Sequence, residues 1–283
     1  MTTIPIKKEK SDEVDLGELL QNIWRQKIVL LFIISLFALF SIFYSLMLPN
    51  QYTSDTVLVG KDSGSSVQLN QGGSMGAFSA LMNLGGSSDN PNVTLAKKTL
   101  TSKSFVATFI RDNNLLPLIM AAKGWDSKAD KIIFDTKAFD PKLSKMRYQP
   151  SDEDIYKSFL NRLTIFTERE TGYITLGFKF YSPHYAQNIL QTLVTEINNT
   201  IKNKEVTKAE KAIEYLHLKI RQTNASDLRL LFNKLIEENT KVLMLAEIDQ
   251  YFVLDVVDPP SFSSRKSEPR RAIICILGTI LGL

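Results

Sequence analysis

The chain has 283 residues, 44% of them hydrophobic and 23% charged, with a formal net charge of +4. So small a charge, with no dense basic stripe, excludes a dedicated nucleic-acid binder. The single cysteine, Cys275, excludes an intrachain disulfide and a Cys-ligated zinc site, and His184 and His217 have no neighbouring His or Cys, which reads as ordinary helix-surface placement.

Near the N-terminus, Leu16, Leu19, Leu20, Ile23 and Trp24 share one face of a helix, with Asp15 and Glu18 as an N-cap and its partner. Two readings fit: an amphipathic helix on the inner leaflet, or a helical extension of the apolar run that follows. That run, Ile28–Leu48, has no charge. Its length as helix, roughly 31 Å, matches the hydrocarbon thickness of a bilayer and predicts a transmembrane helix. No small-residue cleavage pattern follows it, so it does not read as a signal peptide. Arg25 and Lys27 precede it, and Lys61 with Asp55 and Asp62 follows, which places the N-terminus in the cytoplasm and exports everything from Pro49 onward.

Residues 52–59 read as a strand. The Gly/Ser-rich stretch from Lys61 to Pro91 lacks the Lys and Ser/Thr of a P-loop and reads as a flexible loop around a short apolar helix, Gly76–Leu84. Helices are expected over 92–113 and 115–122, the latter with Pro117 in its first turn. Residues 123–150 read as surface. Ser151 with Asp154 caps a helix to about Arg162. Strands are predicted over 163–168 and 173–181. In the second, Ile174, Leu176, Phe178 and Phe180 form an apolar face.

Pro183 opens a helix that runs to about Gln222. Leu190, Leu193, Ile197 and Ile201, then Ile213, Leu216 and Ile220, recur at near-heptad spacing. After weak turn chemistry at 223–226, Leu228, Leu231, Leu235, Val242 and Leu245 form a stripe on a returning helix. The expectation is that the two stripes bury each other in an antiparallel arm over about 183–249. Its Lys/Glu/Asn-rich outer faces fit either a solvated surface or lateral contact with identical copies. A last strand, 251–257, is expected to rejoin the others in one sheet near the bilayer, stopped by Asp258, Pro259 and Pro260. Pro269 then gives a rigid approach to a second apolar run. That run, 272–283, reads as the start of a second span, and Gly278 and Gly282 form a GxxxG pattern that lets helices approach closely. Arg265, Lys266, Arg270 and Arg271 precede it on the outer side, against the positive-inside rule.

Three segments carry a family resemblance: DLGELLQNIWRQK (15–27) with Pro49 and Tyr52 beyond the first apolar run, LIEENTKVLMLAEIDQYFVLDVVDPP (235–260), and the proline-containing segment before the Gly-bearing apolar run. Together they resemble the polysaccharide co-polymerases, the chain-length determinant proteins of bacterial O-antigen assembly. The resemblance implies an α+β fold, with a membrane-proximal base of helices and strands, a long antiparallel helical arm and two flanking transmembrane helices. It also implies homo-oligomers in the inner membrane, contact with membrane lipid, an O-antigen polymerase and lipid-linked polysaccharide as partners, and control of the product's modal length. No catalytic residue, cofactor or metal is expected. A capsule or exopolysaccharide co-polymerase working with a separate kinase, and a secretion-adaptor-like hairpin protein, are the alternative readings.

Overall fold

A computed structural model describes residues 27–61, 91–168, 170–262 and 265–282. The expected amphipathic segment 15–24 and the short helix at 76–84 lie outside these residues. The chain divides into two units, one of residues up to Pro49 together with Glu268–Leu283, the other Asn50–Ser267.

In the larger unit, β1 (Tyr52–Gly60) occupies the middle of a four-stranded sheet with β6 (Leu163–Thr167), β7 (Ile174–Phe180) and β8 (Leu254–Phe262) in the order β6-β7-β1-β8, every pair antiparallel. The alternation in β7 has a direct physical outcome: Ile174, Leu176, Phe178 and Phe180 are all fully buried with Leu58 of β1. Against this face pack α2 (Pro91–Leu100), α3 (Lys103–Asp112), α5 (Asp152–Leu160) and part of α6 (Pro183–Gln222). The rings of Phe109, Phe159 and Phe178 run through the core at centroid distances of 5.7 and 5.5 Å. Between β6 and β7 the chain reverses at Gly172, whose φ of +73° suits a residue without Cβ.

Several expectations change. The predicted helix over 92–113 is two helices. Ser102 interrupts it as an N-cap, its hydroxyl accepting from the Phe105 N–H at 3.3 Å, and Tyr156 donates to the freed Thr101 carbonyl at 3.0 Å. After α4 (Leu116–Ala121), the stretch read as plain surface holds two short hairpins, β2 (Ala122–Asp126) with β3 (Lys131–Phe134) and β4 (Phe139–Asp140) with β5 (Lys145–Met146). An Asp-x-Lys triplet recurs there three times. Asp126, Asp135 and Asp140 each accept, through a side-chain oxygen, the N–H of the lysine two residues on, which folds the backbone into a turn.

The largest correction concerns β8. Asp258, Pro259 and Pro260 do not stop this strand; it continues to Phe262. Two circumstances permit it. β8 is an edge strand, and its register slips twice against β1, between the pairs at Asp55 and Leu58. The prolines fall in that bulge, where no ladder donor is required. The carbonyls there are taken by side chains: Thr56 donates to Asp258 O at 2.6 Å, Ser54 to Ser261 O at 2.7 Å and Gln187 to Pro260 O at 2.8 Å. This accounts for the two fully buried hydroxyls of β1.

In the smaller unit, α1 (Lys27–Met47) and α8 (Arg271–Leu281) pack together. Pro269 follows a cis peptide bond from Glu268.

Candidate functional site

The dominant feature of the larger unit is the helical hairpin of α6 with α7 (Ser226–Ile248), joined by residues 223–225. α6 begins with Pro183 in its first turn, where the missing N–H costs nothing, and has 40 residues, roughly 60 Å of helix. α7 has 23, roughly 34 Å, so on its return it reaches only the level of Lys202, whose ammonium lies 3.5 Å from the Asp249 carbonyl. This difference in length divides the apolar stripe. Leu190, Leu193, Ile197 and Ile201 are buried in the core built on the sheet, and Ile201, at the level where α7 ends, also lines a groove with α7 residues. Farther out, Leu216 is 8% exposed, Ile213 and Ile220 are half-buried, and the outer half of the hairpin covers itself only in part. Of α7, Ala246 is buried, while Leu228, Leu230 and Leu231 are exposed. The expectation that the two stripes bury each other along their length therefore fails at the root of α6, where the sheet takes α7's place.

Asn198 holds the junction. It is 1% exposed and all its hydrogen-bonding capacity is used. Its Oδ1 accepts from the N–H groups of Val253 and Leu254, both at 2.9 Å, and its Nδ2 donates to Leu254 O at 3.1 Å and Val194 O at 3.0 Å. It ties α6 to the start of β8. An Asn in a helical pattern reads as a surface residue, and its partners at Val253 and Leu254 are more than 50 positions away, so sequence spacing does not single it out. Nearby, Lys61 pairs with Asp249 at 2.9 Å and its N–H donates to Val253 O at 2.8 Å. A groove of about 820 Å³ opens beside this junction, lined by Asn92, Leu95, Lys208, Glu238, Lys241 and Phe252 among others. Its lining mixes both signs of charge with apolar side chains.

On the sheet, Asp55 of β1 lies over Gly177 of β7. A Cβ at Gly177 would come within 2.6 Å of the Asp55 carboxylate, so the glycine gives this carboxylate its room. Partial burial pushes the Asp55 carboxyl above its usual value. Arg162 lies against the rings of Phe180 and Tyr181 at 5.3 and 5.4 Å and donates to Ile119 O at 3.3 Å, with burial drawing its guanidinium below the usual value. Among the described residues, no group of three His, Cys, Asp or Glu side chains could hold a metal ion.

In the smaller unit, the two glycines of the GxxxG pattern mark where α8 meets α1. A Cβ at Gly278 would collide with the Ser41 side chain, and one at Gly282 would come within 2.9 Å of Phe37 Cβ and 3.2 Å of the Ile34 Cα. Ser41 Oγ donates to the Ile274 carbonyl at 2.8 Å across this contact. Pro259 and Pro260 lie in β8, and Pro269 precedes α8. Among the described residues, no helix is long and apolar enough to cross a membrane. α8 has 11 residues.

These features define an α+β protein made of an antiparallel sheet layered with helices and carrying a long helical hairpin. Residues 12–112 match the family model described as Wzz, chain length determinant protein. The match covers about a third of the chain, at its N-terminal end, and over those residues the chain is similar to this family. The stretch 235–260 lies outside the matched segment. Among solved structures, the chain is similar to a full-length bacterial polysaccharide co-polymerase at 15% identity, covering 95% of this chain and 94% of that one with a TM-score of 0.35. It is also similar to a fragment of WzzB, a polysaccharide co-polymerase from Salmonella Typhimurium, at 10% identity, covering 77% and 100% with a TM-score of 0.30. Both scores are too low to equate the folds. No curated protein matches the chain in sequence.

Proposed function

We propose that this protein regulates the modal length of lipid-linked O-antigen polysaccharide, as a non-catalytic oligomeric scaffold that works with a separate polymerase. The family match over residues 12–112 is the observation that carries this reading. The family implies an inner-membrane protein with a periplasmic domain. In this reading 1–27 is a cytoplasmic segment, 28–48 the first span, 49–271 the periplasmic domain, and 272–283 the start of a second span. The uncharged stretch Ile28–Leu48 is long enough for the first span, roughly 31 Å as helix. Close approach of α8 to α1 at Gly278 and Gly282 supports pairing of two membrane helices, because helices in lipid associate through small residues.

The outer hairpin supports self-association. Leu228, Leu230 and Leu231 together with the half-buried Ile213 and Ile220 leave apolar surface that the single chain does not cover. Identical copies are the proposed cover. Deleting the gene in a strain without a second copy, followed by a gel of surface polysaccharide, tests the function. A loss of banded length distribution supports it, and an unchanged ladder overturns it. Light scattering of the purified chain in detergent and in lipid tests the assembly, and a strict monomer in both would remove the scaffold.

A further inference from the structure

The two hairpins of residues 122–148 form one small lobe with a cluster of its own. Ala121, Ala138 and Phe139 are buried there with Phe134 and Met146 against them, and the rings of Phe134 and Phe139 lie 4.7 Å apart. The second hairpin ends in a fixed turn. Asp140 and Lys145 are paired across it, the Lys142 N–H donates to Asp140 Oδ1 at 3.0 Å, and Ser144 takes a φ of +49°. This turn holds Leu143 out, 75% exposed, between the exposed Lys142 and Lys145. On β3, Ile133 is 53% exposed and shares a face of the strand with the exposed Lys131. Over 122–148 seven bases stand against four acids, a net of +3, and no acid occurs from Pro141 to Pro150. Lys123 pairs with Asp135 and Arg147 with Asp140, whereas Lys131, Lys142 and Lys145 make no ion pair among the described residues.

The lobe stands at a defined end of the larger unit. Its Trp125 ring meets that of Tyr52 edge-on at 5.8 Å. Tyr52 opens β1, two residues after Asn50, where this unit begins. Ser267, where the unit ends, is held at the same place: its N–H donates to Gln51 O and its Oγ accepts from the Thr53 N–H, both at 2.9 Å. The chain therefore leaves the larger unit toward both apolar helices beside the residue on which the lobe packs.

We infer that the tip of this lobe, Leu143 with Lys142 and Lys145, lies on a bilayer surface that contains anionic phospholipid. This inference rests on the two-pass reading given above. A leucine held out of a fixed turn presents apolar surface that the fold does not cover, and a cation on each side suits phosphate headgroups while the leucine reaches the acyl boundary. A protein partner fits less well, because lysine is depleted from the cores of protein interfaces.

The full chain in vesicles tests this. A polarity-sensitive fluorophore is attached through Ser144→Cys in a chain that carries Cys275→Ala, which leaves Leu143 and both lysines in place. The vesicles are phosphatidylcholine alone or with phosphatidylglycerol, each with and without a nitroxide lipid. The lobe meets the same lipids whichever way the chain inserts. With phosphatidylglycerol, blue-shifted emission is expected, quenched about twofold by the nitroxide lipid. The bound-to-free ratio should fall about fivefold for each of K142Q and K145Q and fade at high salt, and L143S should return the emission to that of water. Emission unmoved by phosphatidylglycerol overturns the inference. So does a blue shift that the nitroxide lipid does not quench, which would assign the tip to a protein contact. Washing with alkaline carbonate reads the spans separately. A chain that stays with the vesicles while residue 144 reads water overturns this inference alone, and a chain stripped from them overturns the two-pass reading and the inference together.

Discussion

The two ends of α6 carry the same apolar spacing and meet different surroundings. At the root, Leu190, Leu193, Ile197 and Ile201 are sealed against a sheet whose own face is fully buried. Farther out, Ile213 and Ile220 face a single returning helix and stay half-buried. A helix pair can remove only a narrow stripe from water, whereas a sheet presents a broad surface with room for every root position. Equal periodicity therefore does not mean equal contribution to stability. The root holds the fold together, and the outer hairpin leaves part of its apolar surface for other contacts.

The sharpest test of that contrast is Asn198→Ala. It leaves the Val253 and Leu254 N–H groups buried without their acceptor, and a loss of about 4 kcal/mol is expected in urea unfolding of the full chain. A near-neutral effect would mean that the root is not where α6 is held. Next, Ile197→Ala should cost about 3 kcal/mol and Ile213→Ala under about 1 kcal/mol in dispersed protein. Equal costs would erase the distinction between the two ends. In the smaller unit, Gly278→Leu sets a side chain against Ser41 and should lower stability in detergent by about 2 kcal/mol, seen as earlier aggregation on heating.

The smallest effect concerns Asp55. Its carboxyl is raised in the folded state, so the native chain holds its proton more firmly than the unfolded chain does. Stability from this group is therefore greatest at acid pH and declines as pH rises from the unfolded value of about 4 through the higher folded value. Asp55→Asn removes that decline. A Tm gain of about 1 °C at neutral pH is expected, small because solvent screens the group, and none at pH 3. A gain that persists at pH 3 would assign the effect to packing over Gly177.

Much of the fold was legible because its signals were local. Pro183 and the turn chemistry at 223–226 mark α6 to its observed bounds, Pro183–Gln222. Alternation in β7 marks a buried face, and Ser151 marks the start of α5 through its bond from the Asp154 N–H. What periodicity cannot supply is the neighbour: it shows that Leu190 and Ile213 share a stripe but not that one meets a sheet and the other a helix. The hairpins of 122–146 have strands of two to five residues, too short for alternation to register, although the repeated Asp-x-Lys turns were present. Pro259 and Pro260 read as a stop because a proline's effect depends on whether the strand has a neighbour on that side, which is a property of the sheet.

That proline pair has a consequence for how separate copies of the chain can meet. A nine-residue strand with an open side is a template on which another unfolded chain can align and grow. β8 withholds two amide hydrogens and buckles where they are missing, so no continuous partner strand can be laid along it. The opposite border, β6, offers only five residues. Separate copies therefore run little risk of fusing through their sheets.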